Sequence, residues 1–130
     1  MKMKKLIAML LVVLFLCGAM LSHESRKKDE KKQFIFVLKL TPRLLNEKNW
    51  TEQDKVIVGR HFRRLQQLVK EGKVILAGKT LDDTDPSQFG VVILEVASEE
   101  EARKILEEDD AVKEKIMTAQ LFPFRVALIR

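Results

Sequence analysis

His61 is the one imidazole between residues 34 and 130, and imidazole is the side chain best suited to moving protons near neutral pH. It falls between Ile57 and Leu65 on the shoulder of an apolar helical stripe. Two readings fit that position: a hydrogen-bonded packing residue, and a general acid or base. Asp109-Asp110 is the second candidate. The pair is expected at the C-terminal end of a helix, where negative charge is unfavourable. It reads either as helix-stop chemistry on a solvated surface or as a functional carboxylate pair. The third group, Arg60, Arg63 and Arg64, reads as a solvated helix face with Glu71 and other acids nearby, an anion site being the lesser alternative.

Other chemistries lack their residues. Between 34 and 130 the only serines are Ser87, in a loop, and Ser98, in a helix cap, and neither sits in G-x-S-x-G. Gly59, Gly72, Gly78 and Gly90 form neither G-x-G-x-x-G nor a P-loop. One histidine among scattered carboxylates has no zinc-ligand spacing. The only cysteine is Cys17, so a chain without its leader has no disulfide or thiolate. No cofactor and no metal are expected. Nor is a nucleic-acid partner, because the basic pI of about 9.4 belongs to one end of the chain. Residues 1–32 carry eight Lys/Arg against three Asp/Glu, whereas residues 33–130 carry sixteen of each. A nucleic-acid binder needs its basic face on the folded part.

The elements that must position His61 and Asp109 follow from periodicity. At 46% hydrophobic residues the chain is too apolar to be disordered. Phe34–Leu40 is expected as a strand with apolar side chains on both faces, ended by Thr41-Pro42. After a loop over 42–50, Thr51 caps a long helix whose inner stripe is Val58, Phe62, Leu65 and Val69, stopped by Gly72. Val74–Gly78 is a second strand, Thr80–Gln88 a turn-rich polar connection, and Phe89–Val96 a third strand. Ser98-Glu99-Glu100-Glu101 is a capping box for a second helix with Ala102, Ile105 and Leu106 inside. A short helical turn over Asp109–Lys115 and a last strand over Thr118–Leu128 complete the domain, Pro123 marking an edge strand.

The order β-α-β-β-α-β predicts an α+β, ferredoxin-like fold, a four-stranded antiparallel sheet with two helices on one face. Because the strands are apolar on both faces, the open face is expected to meet a second copy of the chain, giving a homodimer.

Residues 1–22 read as a leader: Met-Lys-Met-Lys-Lys, then sixteen uncharged residues at 6–21. Sixteen helical residues reach about 24 Å, short of the ~30 Å hydrocarbon core, so a signal peptide fits better than a spanning helix. Cleavage is expected after Ala19 or Ser22, with a retained short anchor and a lipoprotein as alternatives. Lipidation of Cys17 is disfavoured by Phe15-Leu16 before it. The protein is therefore expected to be exported (periplasmic, secreted or envelope-anchored), meeting the membrane only through the leader. Residues 23–33 read as a charged linker and 34–130 as the domain.

Taken together, His61, Gly72, Ala77-Gly78, Gly90, Ser98–Arg103, Asp109 and Pro123-Phe124 resemble, in order and spacing, the YCII-related (YciI-like) domain family, over about residues 34–128. The resemblance implies a dimeric α+β barrel akin to muconolactone isomerases. It also implies a pocket in which His61 and Asp109 are the catalytic pair, His61 moving the proton and Asp109 orienting the ring. Most such domains have no assigned reaction, and a few relatives act on small aromatic or chlorinated ring compounds. The implied activity is isomerisation or elimination on a small cyclic molecule; the alternative is a non-catalytic ligand-binding or structural module of the cell envelope. Two positions depart from the family pattern: Asp110 stands where Pro is usual, and Lys79 follows Ala77-Gly78 in place of Pro. Adjacent carboxylates disfavour each other's ionisation, so Asp110 is expected to raise the pKa of one of the pair.

Overall fold

The computed structural model of the protein describes residues 30–130. The leader expected at 1–22 lies outside the described residues, as does most of the linker. Among the described residues no helix is long and apolar enough to cross a membrane.

Four strands, β1 (Lys32–Leu40), β2 (Val74–Lys79), β3 (Gly90–Val96) and β4 (Met117–Phe124), form one antiparallel sheet in the order β2-β3-β1-β4. Helix α1 (Glu52–Lys70) connects β1 to β2, and α2 (Glu99–Glu107) with the one-turn α3 (Asp110–Lys113) connects β3 to β4. This is the expected ferredoxin-like arrangement. β1 begins two residues earlier than expected and takes in Gln33, while β4 stops at Phe124, four residues short of the expected end. The stretch between β1 and α1 is two 3-10 turns, Pro42–Leu45 and Glu47–Asn49.

Local chemistry accounts for the helix ends. The Thr51 hydroxyl accepts from the Asp54 amide (3.1 Å) and the Asp54 carboxylate accepts from the Thr51 amide (2.9 Å), a reciprocal box worth about 0.5–2 kcal/mol at its N-cap. Gly72, at φ +70°, ends α1: its amide donates to Val69 and that of Lys73 to Leu68, a left-handed turn glycine adopts without strain. At α2 the expected box closes by one arm. Ser98 accepts from the Glu101 amide, but the Glu101 carboxylate bonds the amide of Ala97, not of Ser98.

Strand alternation places Phe34, Phe36 and Leu38 of β1 and Val92, Leu94 and Val96 of β3 under the helices. Leu94→Ala would cost about 2–5 kcal/mol, as for other buried leucines. The opposite face carries Ile35 and Val37, paired with Ile93 and Val91, flanked by Leu76 and Phe122. A second, smaller core of Leu44, Ile57, Ala111 and Ile116 sits beneath the 3-10 turns.

The phase of α1 corrects the expected stripe. Ile57, His61, Leu65 and Leu68 are buried, whereas Phe62 and Val69 are 60% and 52% exposed. The helix is turned by about one residue relative to the hydrophobic reading, because His61 finds polar partners inside and Phe62 faces the open side of a cavity.

Candidate active site

Ile57 belongs to the small core and Leu65 to the large one, so the turn of α1 between them presents His61 at the junction of the two, 8% exposed. Asp109 reaches the same junction from the other side. It does not end a helix; it begins one. In extended conformation (φ −68°, ψ 128°), its Oδ1 accepts from the Ala111 amide at 2.9 Å and caps α3. Ala111 is locked in the small core, so the carboxylate is held from below. Its Oδ2 takes the bond from His61 Nδ1 at 2.8 Å, across 48 residues of sequence. Asp109 is only 4% exposed. The structure thus brings together the two residues expected to form the pair.

The bond has a direction. A carboxylate oxygen only accepts, so Nδ1 carries the hydrogen and Nε2 of the neutral ring keeps its lone pair. Nε2 makes no hydrogen bond among the described residues, and no fully buried side-chain polar atom there is left unpaired. It is therefore open, and the space beside it is a cavity of about 340 Å³ that His61 lines. Leu38, Trp50, Phe62, Leu65, Phe89 and Met117 supply apolar wall. The volume lies at the lower end of the ~300–1,000 Å³ range of small-molecule pockets. Lys79 and Asp83 also line it, paired at 2.7 Å. The Lys79 departure therefore places an ion pair, with no free cation, at that side of the cavity.

Three further expectations change. Asp110 pairs with Arg60, whose hydrogen bond (2.8 Å) holds its carboxyl below the ordinary value rather than raising it. It is the first residue of α3, a position that suits both an acid and the proline usual there. Two of the arginines keep the expected solvated face, Arg63 exposed and Arg60 partly so, whereas Arg64 is drawn inward. Arg60 binds Asp110, and Arg64 donates to the Ile105 carbonyl at 2.6 Å, 3.9 Å from Asp109 Oδ2. Only Arg63 of the three makes no ion pair among the described residues.

Gln88 is a cavity residue that sequence reasoning left in a polar connection. The loop before it is built from two side-chain turns. Asp82 accepts from Thr84 and Asp85 from Ser87 through both amide and hydroxyl; these bonds lower both carboxyl pKa values. The Asp85 carbonyl then accepts from the Gln88 amide at 2.9 Å. Its only sequence signal is an amide side chain just before an apolar strand, which no spacing rule singles out.

A family model, the YCII-related domain, matches residues 33–125. The chain belongs to the YCII-related domain family. The match takes in His61, Asp109 and, except for Lys32, all four strands. One similar solved structure is that of 5-chloro-2-hydroxyhydroquinone dehydrochlorinase from Burkholderia phenoliruptrix AC1100 in complex with 2,5-dihydroxybenzoquinone. It is 19% identical, with a TM-score of 0.49, over 72% of this chain and 93% of that one. No curated protein matches the chain. Among the described residues of this YCII-related domain, no three His, Cys, Asp or Glu side chains converge as a metal site would require.

Proposed function

We propose that this YCII-related domain is an acid–base catalyst acting on a small cyclic organic molecule by isomerisation or elimination, with His61 as the proton carrier and Asp109 as its positioning residue. One observation carries the reading: the Asp109 carboxylate holds Nδ1 of a histidine that lines a largely apolar cavity, and its Nε2 is left without a protein partner among the described residues. In the neutral ring Nε2 takes a proton from the substrate. The imidazolium that forms is stabilised by the carboxylate 2.8 Å behind it, and Nε2 returns the proton elsewhere on the substrate or to the leaving group. Apolar walls exclude water and strengthen that pairing. A module that only binds its ligand needs the cavity but gains nothing from a fixed tautomer.

Two measurements test this. Nitrogen NMR of the neutral His61 ring should show the hydrogen on Nδ1; a hydrogen on Nε2 removes the base. On a substrate drawn from hydroxylated and chlorinated ring compounds, His61→Gln should lose at least about a hundredfold in rate with the fold intact. Unchanged turnover would overturn the assignment.

The same reading extends to assembly and location. The apolar open face of Ile35, Val37, Val91 and Ile93, with Leu76 and Phe122 half-exposed beside them, supports a homodimer joined sheet to sheet. Sedimentation at micromolar concentration should give twice the chain mass, and a monomer would refute it. Residues 1–22 support export; fractionation and N-terminal sequencing check it, and an intact cytoplasmic chain would overturn it.

A further inference from the structure

We propose that Gln88 is the oxygen-binding residue of the cavity, and that the substrate class is a small ring bearing a carbonyl group. Its oxygen accepts from the Gln88 amide while His61 removes a proton from the adjacent carbon. This rests on the acid–base reading above and gives it a substrate chemistry.

Gln88 is 5% exposed and lines the same cavity as His61. Its Oε1 accepts from the Leu40 backbone amide at 3.4 Å, a long bond that nevertheless sets the orientation. A backbone N–H can only donate, so the oxygen faces Leu40 and the NH2 group points away. That nitrogen makes no hydrogen bond among the described residues, yet no fully buried side-chain polar atom there is unpaired. It therefore meets open space, and the cavity is the space that Gln88 is shown to line.

Both amide hydrogens are unclaimed by protein groups among the described residues, so the NH2 is free to donate to whatever occupies the site. The aliphatic and aromatic walls offer it no acceptor. Beside the Lys79–Asp83 ion pair, whose two groups hold each other, the cavity is lined by the Gln88 NH2 as a donor and His61 Nε2 as an acceptor. A ring ketone with an acidic neighbouring C–H matches both. As His61 Nε2 takes that proton, the C–H electron pair becomes the new C=C bond and the C=O π pair moves onto oxygen. The resulting enolate keeps the Gln88 hydrogen bonds, which strengthen as charge develops. Where the deprotonated carbon also carries a C=C, the imidazolium returns the proton to the far carbon of that dienolate as the pair on oxygen re-forms C=O and the C=C shifts into conjugation with it, completing an isomerisation that needs no oxidant, reductant or second reactant.

The test uses two probes of similar shape, para-fluoroacetophenone, whose oxygen only accepts, and para-fluoroethylbenzene, which has none. Fluorine NMR titration of the full protein should show the ketone binding about tenfold more tightly, the worth of one hydrogen bond. Gln88→Met should abolish that preference and leave the ethylbenzene affinity unchanged. In the wild type, the Gln88 side-chain amide resonances, identified by their loss in the variant, should move with the ketone and not with the hydrocarbon. A preference that survives Gln88→Met overturns the assignment and leaves the acid–base reading standing. If both probes weaken equally in the variant, the substitution has disturbed the cavity and the wild-type amide resonances decide: unmoved by the ketone, they overturn it. If neither probe binds the wild type, no small ring enters the cavity and both proposals fall.

Discussion

Asp54 and Asp109 are the same device used twice. Each is a buried carboxylate at a helix N-terminus, each accepts from a backbone amide of its own turn, and each holds a basic side chain from elsewhere. The partners differ. Asp54 takes a two-pronged bond from Arg43, at 2.8 and 2.9 Å, and Arg43 Nη1 also donates to the Asn49 carbonyl. A guanidinium keeps its charge at any working pH, so this pair can only tie the 3-10 turns to the start of α1. Asp109 takes an imidazole that lines a cavity and whose second nitrogen has no protein partner among the described residues. The cap is structural at both ends, and only the imidazole, which can gain and lose a proton near neutral pH, meets the needs of the proposed chemistry.

The most damaging change to that contrast is His61→Gln, with its expected loss of at least about a hundredfold in turnover and a near-native melting temperature. Asp109→Asn keeps an oxygen for the Ala111 amide but surrenders the negative charge. Its rate loss should be smaller than that of His61→Gln, with the population of the Nδ1–H tautomer reduced in the NMR measurement. A larger loss for Asp109→Asn would make Asp109 itself the proton carrier and break the comparison.

Asp54→Asn should leave turnover within about twofold, since neither Arg43 nor Asp54 lines the cavity. Its signature is acid stability. The Arg43 hydrogen bonds, aided by the Thr51 amide, hold the Asp54 carboxyl well below its ordinary value. Its contribution is therefore complete above the unfolded carboxyl value near ~4 and is withdrawn as pH falls towards the depressed one. The variant should be less stable at neutral pH, and denaturant midpoints from pH 7 downward should fall less steeply than in the wild type. Parallel curves would show that the pair is not ionic in the folded state. Thr51→Ala, removing the cap hydroxyl and its hydrogen bond to Asp54 Oδ2, should cost about 1 kcal/mol in denaturant unfolding at neutral pH, and less as Asp54 protonates.

Asp110→Pro should be the mildest change. Residue 109 already has the extended backbone that precedes proline, and the Asp110 amide makes no hydrogen bond among those described. Loss of the Arg60 contact is offset by a stiffer unfolded chain, so the melting temperature should stay within about 3 °C. The His61 tautomer should not change. A large destabilisation would mean that the Arg60–Asp110 pair, not the cap, fixes α3.

Much of this domain was legible before any coordinates. Alternating apolar residues in β1 and β3, the Thr51 cap, the Gly72 stop and Pro123 on an edge strand are local signals, each complete within a few residues. Together they order the elements and imply the ferredoxin-like sheet. The phase of α1 was not legible. Hydropathy assigns Phe62 inward and His61 to the shoulder, but burying an imidazole is favourable once a carboxylate satisfies it, and that carboxylate lies 48 residues away. The role of Asp109 as a cap was hidden because a break between α2 and α3 at residue 109 depends on Ala111 packing beside Leu44, Ile57 and Ile116. Gln88 carried no pattern at all. Composition and spacing determined which chemistries this chain could support and the order of its strands and helices, because those depend on neighbours along the backbone. Tertiary packing alone decided which nitrogen of His61 is held and which is open, and that Gln88 shares its cavity, because hydrogen-bond partners are chosen by distance in space.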